Sequence, residues 1–564
     1  MDATNGFSSF LTGLSSYFSI PVILVLSVVL LSSYAFGRET SHSSNGLSYL
    51  PESIPYVSNT FLFMTDMAAF LERVSEVFEA TNSEVVKCYV GFRPCYFVAS
   101  PQNVQRLFGS PEILDGNFIH YLLMGKQWGM TKAEMAKFRE DRSGRLPKPA
   151  PGFEGLAADK RYWRNHNRLY TDYLTDTRHS DALAMEFSRR FAQRLDRQCE
   201  GLHDGGWASM RLLGTLRKHM SECAAETLFG TRLFDLNPGF TECYWAYDEV
   251  AGRLLTGPPG FLQPRAARAK HRLHAMVRRH IDAAWANFDS GCVDVESLWE
   301  PHFGSHLSRE SARWLREQGF SDHTAAGHTL ATLFGLNGNT VPITAWALAE
   351  LLQDPKLLNA VRSEVLTESI DAETGELDAR RVVSLPLLQS LYTETMRLHV
   401  SFAVTREVRD GPFEIAPGCW IEKGAIVQTC STIAHLDEEV WAIEGHPARE
   451  FWAWRHVRTE ESRDERTGDT TTRMRFAMNG RPTSFFPYGG GHWVCPGRHF
   501  GKMEIMLALA LIVTKFDLEF VQWTHLDGAE SDRPAQNDGR YAGSIAMFPD
   551  RDLSFRWRKI RSPK

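Results

Sequence analysis

The stretch FPYGGGHWVCPGRHF, residues 486–500, places one cysteine in a glycine-rich turn immediately before a helix. Gly489, Gly490 and Gly491 precede Cys495, and the run RHFGKMEIMLALALIVTKF after it has the pattern of an amphipathic to buried helix. Glycine allows positive φ angles and close approach by a bulky group, and the free N–H groups at a helix N-terminus favour an anion. A cysteine here is expected to be a thiolate. The turn therefore indicates a sulfur anion held against something large and flat.

The composition is that of a globular protein with a large core. The chain has 564 residues, of which 43% are hydrophobic and 23% charged. A net charge of −6 gives no electrostatic case for binding nucleic acid. The nine cysteines are scattered and form no C-x-x-C pair. This pattern favours a reducing compartment and argues against a disulfide framework or a zinc ribbon.

The N-terminus predicts a membrane anchor. Residues 17–36, YFSIPVILVLSVVLLSSYAF, carry no charge and have about the length needed to span a bilayer. A cleaved signal peptide would need a basic segment before this run, and the chain has none there. We expect an uncleaved anchor over residues 1–37, a proline-containing hinge over 38–60 and one main domain over 61–564. Arg38 on the C-terminal flank of the run favours a cytoplasmic main domain.

The rest of the chain predicts a mostly α fold with small β-sheets. Residues 85–101 have the pattern of a β-hairpin, and a polar loop follows over residues 139–155. The segment from residue 159 to about 352 is mostly helical. Strands return over residues 405–430 and near the C-terminus, and a charged insertion, RTEESRDERTGDTTTR, precedes the cysteine turn.

A long helix is predicted over residues 321–354, with Ser321 or Asp322 as its N-cap. If continuous, it has roughly 30 residues and a length of ~45 Å, enough to cross the whole domain. Its middle contains residues that weaken a helix, because Pro342 has no N–H and leaves the carbonyl of Gly338 without a partner.

The opening in that helix could hold water or a small diatomic molecule. Asn339 and Thr340 lie at this groove and supply polar side chains. The alternative is a simple kink in a core helix, with polar groups that are satisfied locally. Taken alone, the segment does not decide between the two.

Another predicted helix contains Glu394 and Arg397, which are three residues apart and so share a face. A pair of this kind is commonly a surface ion pair of small energy. Arg455 lies downstream, before the cysteine turn. One glutamate with two arginines can form a buried bidentate network that holds a long loop.

The order of these motifs resembles the cytochrome P-450 superfamily of haem-thiolate monooxygenases, over about the whole chain. The resemblance implies that family's fold, a helix-rich triangular prism, here with one N-terminal transmembrane helix. It also implies haem b as cofactor and Cys495 as the axial thiolate ligand of the iron, which favours O–O cleavage. Tyr488 stands where the family usually has Phe, and the spacing from Tyr488 through Gly491 and Cys495 to Gly497 is kept.

The resemblance also implies residues that bind the haem propionates. The family often carries a basic residue two positions before the cysteine, where this chain has Trp493. His492, or the indole N–H of Trp493, could replace it. The segment RYWRNHNRL supplies Trp163 and Arg168 in a shifted form of the family's W-x-x-x-R pair. Arg406 matches the family's arginine after the E-x-x-R helix.

Finer features resemble the sterol hydroxylase and prostacyclin synthase group, in which Asn precedes the threonine and Pro follows it, as at Asn339, Thr340 and Pro342. The synthase, an isomerase, has Ala at the threonine position, whereas the hydroxylases keep Thr. An alcohol beside the iron can organise proton delivery, so Thr340 favours oxygen activation. Two alternatives stay open: a haem-thiolate isomerase or dehydratase without a reductant, and a haem sensor or electron carrier.

The resemblance implies a fungal enzyme of secondary metabolism in the endoplasmic reticulum membrane. Its partners would be NADPH–cytochrome P-450 reductase, with cytochrome b5 as a further electron donor, O₂ and a lipophilic terpenoid or steroid. Residues 256–263 match the family's membrane-dipping entrance, and residues 122–129 and 541–548 match its substrate-contact regions. These apolar segments argue against a sensor or carrier, which needs no large apolar pocket.

Overall fold

A computed structural model describes residues 46–198, 200, 206–256, 260–289, 291, 297–371, 373–463, 470–478 and 482–560. Within this part the chain forms two compact units. The first contains residues 46–115 and 405–429, and the second contains residues 116–404 and those from 430 onward. That residues 61–564 act as a single catalytic domain stays a prediction.

Helices make up most of the regular structure and the sheets are small, as the sequence predicts. The α-helices are α1 Ser58–Thr65, α2 Met67–Thr81, α3 Pro101–Gly109, α4 Asn117–Lys126, α5 Lys132–Glu140, α6 Tyr162–Leu174, α7 Thr177–Gln198, α8 Leu212–Thr215, α9 Ser221–Phe229, α10 Arg232–Asp235, α11 Phe240–Thr256, α12 Pro264–Asn287, α13 His306–Glu317, α14 Asp322–Gln353, α15 Pro355–Glu368, α16 Ala379–Val382, α17 Pro386–His399, α18 Ser431–His435, α19 Glu438–Trp441 and α20 Arg498–Lys515. The strands are β1 Leu47–Tyr49, β2 Val85–Val90, β3 Arg93–Val98, β4 Leu114–Asp115, β5 Ala208–Arg211, β6 Trp299–Glu300, β7 Gly304–Ser305, β8 Val400–Val408, β9 Phe413–Ala416, β10 Cys419–Ile421, β11 Ile426–Cys430, β12 Val457–Arg463, β13 Thr470–Phe476, β14 Phe516–Thr524, β15 Ser544–Ala546 and β16 Asp552–Lys559. Four short 3₁₀ turns, Ala158–Lys160, Gly260–Leu262, Gly491–Trp493 and Gly539–Tyr541, and one π turn, Leu216–Met220, complete the described elements.

The first unit is built on a mixed sheet. β1 is parallel to β2, β2 is antiparallel to β3, and β11 is parallel to β3. The hairpin predicted over residues 85–101 is confirmed as β2 and β3, with Gly91 in its turn at a φ of 62°. Helix α2 covers the sheet, and its Phe70 contacts Phe97 of β3 with ring centroids 5.7 Å apart. The β-branched and aromatic residues of these strands suit such a half-covered pleated surface.

The second unit is organised around the long helix α14. The continuous helix predicted over residues 321–354 is confirmed, with bounds Asp322–Gln353. The Ser321 hydroxyl caps its start, since Oγ accepts a hydrogen bond from the N–H of Thr324 at 3.2 Å. Pro342 lies inside the helix without ending it. Most of α14 is buried, because apolar residues occupy nearly all of its faces after the first turn.

Helix α20 follows the cysteine turn and packs against α14 and α7. Its residues 503–513 are all buried. The chain continues directly into β14, which the sequence analysis did not identify, and β14 forms an antiparallel sheet with β16 and β5. Strands β12 and β13, which include the described ends of the predicted charged insertion, pair antiparallel, and Arg475 and Glu460 form an ion pair across them at 2.6 Å.

The predicted anchor, residues 17–36, lies outside the described residues. Among the residues that the structure describes, no helix is both long and apolar enough to cross a bilayer. From residue 46 onward the predicted hinge is part of the first unit, where β1 pairs with β2. The Glu52 carboxylate also accepts hydrogen bonds from the N–H groups of Tyr56 and Asn59, both at 2.9 Å. The described part of the hinge is therefore held to the folded unit.

A buried ion network joins helix α17 to the chain before the cysteine turn. The guanidinium of Arg397 donates to both oxygens of Glu394, at 2.8 and 2.7 Å, and Nε of Arg455 donates to Oε1 of the same carboxylate at 2.8 Å. All three side chains are buried. The remaining N–H groups of the two arginines donate to backbone carbonyls of His435, Trp441, His446, Pro447 and Glu450. The Glu394 carboxylate therefore orients both arginines, and the arginines hold the loop from Trp441 to Glu450 by its carbonyl groups.

The network also makes stability depend on pH. Burial alone would raise the pKa of Glu394, but hydrogen bonds from Arg397 and His456 and the charges of Arg397 and Arg455 lower it to about 2. A carboxylate with a lowered pKa stabilises the fold above its unfolded-state pKa of about 4.3. That contribution is lost as the pH falls toward 2.

We expect Glu394→Gln to lower the free energy of unfolding by about 3–5 kcal/mol, because two buried guanidinium groups lose their counter-charge. Thermal and denaturant unfolding of the purified variant measure this change, and bound haem per chain should fall with it. Glu317→Gln on α13 is the matched control, since Glu317 is 61% exposed and pairs with Arg313 one helical turn away. The control should change stability by less than about 0.5 kcal/mol. Equal unfolding curves for Glu394→Gln and the parent would contradict the buried network.

Candidate functional site

The cysteine turn is closed by backbone hydrogen bonds. Gly489 and Gly491 have φ angles of 72° and 64°, values that side-chain-bearing residues rarely adopt. The N–H of Cys495 donates to the carbonyl of Tyr488 at 3.0 Å, and the N–H of Val494 donates to the carbonyl of Gly491. Helix α20 begins three residues after the cysteine. The glycines are therefore needed for the shape of the turn, as the sequence suggested.

Cys495 is exposed, unlike the other described cysteines. The buried ones are Cys88, Cys95, Cys223, Cys243, Cys419 and Cys430. The surrounding protein nevertheless removes water from Cys495, and this burial raises the pKa of its thiol. The backbone N–H groups of Gly497 and Arg498 and the charge of Arg498 act to lower that pKa. The helix N-terminus alone therefore does not produce the thiolate expected from the sequence. A metal ion bound to the sulfur would deprotonate it outright.

The donor set around Cys495 fits a haem-thiolate ligand. The sulfur is accessible, and the backbone N–H groups of Gly497 and Arg498 hydrogen-bond to it. Such hydrogen bonds share the charge of a ligating sulfur and tune the iron. A Cβ added at Gly497 would lie 3.7 Å from Sγ, an ordinary van der Waals contact.

The hydroxyl of Tyr488 explains its presence in place of Phe. It forms a hydrogen bond with the hydroxyl of Tyr392 on α17, so the two tyrosines connect the cysteine turn to the helix of the Glu394 network. His492, in the same turn, is exposed. Its predicted propionate contact stays a prediction.

The indole of Trp493 is hydrogen-bonded to another side chain of the protein. Its N–H donates to Oδ1 of Asn117 at 3.0 Å, and the same oxygen accepts from Nε and Nη2 of Arg145 at 3.1 and 3.0 Å. Gly116 lets the ring lie flat against the backbone, because a Cβ there would be 2.5 Å from Cδ2 of Trp493. In this structure Asn117 accepts the N–H, and the role of Trp493 as a propionate donor stays a prediction.

Trp163 and Arg168 also point to protein partners. The buried indole of Trp163 donates to the carbonyl of Phe138 at 2.8 Å, and the Arg145 guanidinium stacks 4.7 Å from its ring centre. Arg168 is exposed and pairs with Asp172 one turn along α6, at 3.2 Å. The haem contacts of Trp163 and Arg168 stay predictions. Arg145, from the polar loop, is the cation next to Trp163, and the sequence analysis did not identify it.

Arg406 belongs to the first unit. It is buried in the second half of β8, and its Nη1 donates to the carbonyl of Thr405 at 3.0 Å. Burial lowers the pKa of its guanidinium to about 10, although the charge of Asp115 opposes that shift. Its propionate role stays a prediction.

Thr340 and Asn339 diverge on helix α14. Oγ1 of Thr340 lies 2.8 Å from the carbonyl oxygen of Leu336 and 3.0 Å from Oε1 of Glu504 on α20. Asn339 instead accepts a hydrogen bond at its Oδ1 from the N–H of Ala546 in β15, at 3.1 Å. Successive helical residues are about 100° apart, so neighbours cannot face one point. The two side chains therefore have partners on different elements, and their shared role at the groove stays a prediction.

Glu504 is the functional candidate that the sequence analysis missed. It is completely buried, and burial raises its pKa to about 8 although the hydrogen bond to Thr340 opposes the shift. The signal was present: a single acid stands inside the apolar run MEIMLALALIV, nine residues after Cys495. A lone carboxyl in a helix that is apolar all round must be buried. Its partner on α14 could not be known from that pattern.

Comparison with known proteins agrees with this geometry. The family profile described as cytochrome P-450 matches residues 118–527. A cytochrome P-450 monooxygenase of Penicillium decumbens, calL, is 40% identical over 507 residues, covering 89% of this chain and 91% of the relative. A cytochrome P-450 monooxygenase of Humicola fuscoatra, fsoE, is 32% identical and covers 55% and 57% of the two chains. Cholesterol 7-alpha-monooxygenase of Cricetulus griseus is 23% identical and covers 90% and 92%.

The match includes the exposed cysteine, the glycine turn and the buried Glu–Arg–Arg network described above. It also agrees with the resemblance to sterol hydroxylases and to fungal enzymes that the sequence motifs carried. The family binds haem b. The chain therefore belongs to the cytochrome P-450 family and is a haem-containing monooxygenase.

Proposed function

We propose that this protein is a membrane-anchored monooxygenase that takes electrons from NADPH through a reductase and hydroxylates or otherwise oxidises a lipophilic terpenoid or steroid. The observation that carries the oxygenase assignment is the contact between Thr340 and Glu504, because it joins a hydroxyl on the long helix to a buried acid on the cysteine helix. Oxygen activation consumes protons, whereas isomerisation of a peroxide does not. A built proton source therefore supports the first reaction.

The protonation state of Glu504 follows from its pKa. With a pKa of about 8, the carboxyl is mostly neutral at pH 7 and carries a proton that it can donate. The Thr340 hydroxyl has one proton and two neighbouring oxygens, on Leu336 and Glu504. Both contacts are satisfied when Glu504 donates to Thr340 and Thr340 donates to the Leu336 carbonyl. The pair then forms a short proton relay.

The cofactor supplies the chemistry that the side chains cannot: haem bound through Cys495 activates O₂ with two electrons. The role of this chain's residues is to hold the sulfur, exclude water and deliver protons. Cys495 would hold the iron, with the N–H groups of Gly497 and Arg498 sharing the charge of the sulfur. Thr340 and Glu504 would hold and pass the proton.

A lipophilic substrate is supported by the side chains around the middle of α14. Phe334 of that helix and Ile545 of β15 both approach Gly338, within 3.7 and 3.6 Å of the position a Cβ would take there. Ile545 lies in one of the segments predicted to contact substrate. One relative is a cholesterol 7-alpha-monooxygenase. An apolar lining of this kind suits a terpenoid or steroid skeleton.

Membrane association rests on two apolar features, and the proposed location is the endoplasmic reticulum with the catalytic part in the cytoplasm. Residues 17–36 have the composition of a spanning segment. In the segment between α11 and α12, Phe261 and Leu262 are 81% and 63% exposed. Large apolar side chains exposed together commonly mark contact with lipid or protein. Resistance of the full chain to carbonate extraction from microsomes tests the anchor; release into the supernatant would contradict it.

The assignment predicts that oxygen uptake and product formation need both NADPH and the reductase. In Cys495→Ser, the ferrous–carbonyl absorption band should lose its thiolate position, because serine is a poor ligand that does not donate electron density as a thiolate does. Cys243→Ser, at a buried cysteine of α11, is the matched control and should keep the band. An unchanged band in Cys495→Ser would remove Cys495 as ligand. Turnover without NADPH would favour the isomerase.

The relay predicts a loss of coupling when either member is replaced. Thr340→Val keeps the shape but removes the hydroxyl, and Glu504→Gln removes the acidic proton. In each variant, product formed per NADPH consumed should fall about tenfold or more, with hydrogen peroxide released instead. Because the two residues act in series, the double variant should be no worse than the single ones.

The pH dependence and a conservative variant provide the controls for the relay. In the parent, coupling should fall as the pH rises through about 8, because Glu504 then loses its proton. Glu504→Gln should lack this step, and Thr340→Ser should retain most of the parent's coupling. Parent-like coupling in Thr340→Val, with NADPH still consumed, would show that the protons follow another route.

A further inference from the structure

The turn that carries Cys495 is flexible by composition, so other parts of the protein have to fix its shape. Three consecutive glycines, Gly489 to Gly491, stand between Tyr488 and the cysteine. Glycine has the widest choice of backbone conformations and therefore loses the most entropy when a turn is ordered. The N–H of Cys495 donates to the carbonyl of Tyr488 at 3.0 Å. The position of the cysteine therefore depends on what holds Tyr488.

Tyr488 is held through its side chain. Its hydroxyl forms a hydrogen bond with the hydroxyl of Tyr392 on α17, a residue that is 96 positions away in the chain. The side chain of Tyr392 is buried, with 6% of its surface exposed. This bond connects the residue that accepts the cysteine N–H to a neighbouring helix.

Helix α17 is fixed near both of its ends. At its start, the two oxygens of the Glu364 carboxylate on α15 accept hydrogen bonds from the N–H groups of Leu387 and Leu388, at 2.7 and 2.9 Å. Near its end, Glu394 is held by two arginines. Tyr392 lies between these attachments, two residues before Glu394. Its hydroxyl is therefore a fixed reference point for the turn.

The two tyrosines form a matched pair. A buried hydroxyl without a partner is unfavourable, whereas replacing both partners with apolar groups of the same shape is nearly neutral. Phe, the usual family residue at the position of Tyr488, would remove this partner of the Tyr392 hydroxyl. This chain has both hydroxyls, although two phenyl rings would fill nearly the same space. The hydroxyl bond adds what the packing of two rings does not, a directional link between the helix and the turn.

The sulfur of Cys495 is near enough for its charge to act on both hydroxyl groups. Burial raises the pKa of Tyr392 and of Tyr488, and the negative charge of Cys495 raises both pKa values further. Both side chains are therefore neutral hydroxyls at neutral pH. A neutral pair fixes the turn without a positive charge, which would draw electron density from the sulfur and weaken its donation to the iron.

We propose that Tyr392 is a positioning residue: through its hydroxyl bond to Tyr488, it holds the cysteine turn so that Cys495 stays bound to the haem iron. The inference rests on Cys495 as the iron ligand, as proposed above, and adds a residue outside the cysteine motif on which that bond depends. It needs no assumption about the substrate, the reductase or the membrane.

Retention of the sulfur–iron bond is measured in the haem-loaded full chain, reduced with dithionite and saturated with carbon monoxide. Under mild heating, well below the unfolding transition, the ferrous–carbonyl band leaves its thiolate position as the sulfur leaves the iron, and the rate of this change is recorded. In Tyr392→Phe and in Tyr488→Phe the rate should be about threefold to tenfold higher than in the parent, the factor given by one lost hydrogen bond. A parent-like rate in either variant would overturn the proposal.

The double variant, Tyr392→Phe with Tyr488→Phe, separates positioning from general stability. Neither position then has a hydroxyl left to be unpaired, so the free energy of unfolding should return close to the parent's. The rate of thiolate loss should stay raised, because the link between α17 and the turn is still absent. If the double variant regains the parent's rate together with its stability, the pair is structural only and the proposal is overturned. The double variant also serves if a single one does not fold.

Tyr96→Phe is the matched control. Tyr96 is 2% exposed, and its hydroxyl donates to the carboxylate of Glu422 in the first unit. Removal of this hydroxyl should lower the free energy of unfolding, while the rate of thiolate loss stays at the parent's value. A raised rate in the control would mean that any buried hydroxyl has this effect, and the assignment of Tyr392 would be overturned.

These outcomes are separate from those of the proposed function. Dithionite supplies the electrons, so neither NADPH nor a reductase is present in the assay. A parent without a thiolate-type band would overturn both the assignment of Cys495 as ligand and this inference. A parent with the band and variants with unchanged rates would count against Tyr392 alone. Failure of NADPH-dependent turnover, with the expected rates in the variants, would count against the monooxygenase cycle and leave Tyr392 in place.

Discussion

The ionised carboxylate of Glu394, buried between two guanidinium groups, is the interaction on which the cysteine side of the second unit depends. A carboxylate without partners would be expelled from such a site or neutralised, because transfer of a charge out of water costs several kcal/mol. Arg397 and Arg455 satisfy both of its oxygens, and their remaining N–H groups take up carbonyls of the loop from Trp441 to Glu450. The hydroxyl pair of Tyr392 and Tyr488 then continues the connection to the turn that carries the cysteine.

Helix α14 is flanked by two buried acids with raised pKa values. Glu504 meets it at Thr340, and Asp248 approaches it at Gly338. Positions 338 and 340 are about 200° apart around a helix, so the two carboxyls lie on nearly opposite sides. Glu504 lies on the helix that follows the cysteine, whereas Asp248 lies near the apolar side chains of Phe334 and Ile545. Two chemically similar residues thus have different neighbours, because the helix between them separates them.

The cysteine turn departs from the family pattern at Trp493, and the residues around Trp493 contact one another. Trp493 replaces a basic residue, and its indole N–H is taken by Asn117 rather than left for a ligand. The same asparagine oxygen receives Arg145, whose guanidinium also covers the ring of Trp163. A tryptophan in the turn, a glycine that makes room for it and an arginine from the polar loop therefore form one assembly. Exchanging a single member for the usual family residue would leave the others without their contacts.

Local sequence patterns were enough to predict several elements of the fold. The bounds of α14 follow from its serine cap and from apolar residues on nearly every face, and the β2–β3 hairpin follows from two β-branched runs around a glycine. The pairing of Glu394 with Arg397 follows from their spacing of three residues. In each case the interacting groups are close in sequence, so backbone geometry alone brings them together.

Only the tertiary structure decided which side chains meet across the fold. Thr340 and Glu504 are 164 positions apart, and Trp493 and Asn117 are 376 apart. No local pattern specifies such contacts, because they depend on which face each helix turns toward its neighbour. The sequence context of Arg168 likewise did not indicate its partner, Asp172, with which it pairs on an exposed face of α6. The sequence by itself determined the family, the cysteine and the long helix, whereas packing decided which polar groups are buried and what each of them can bind.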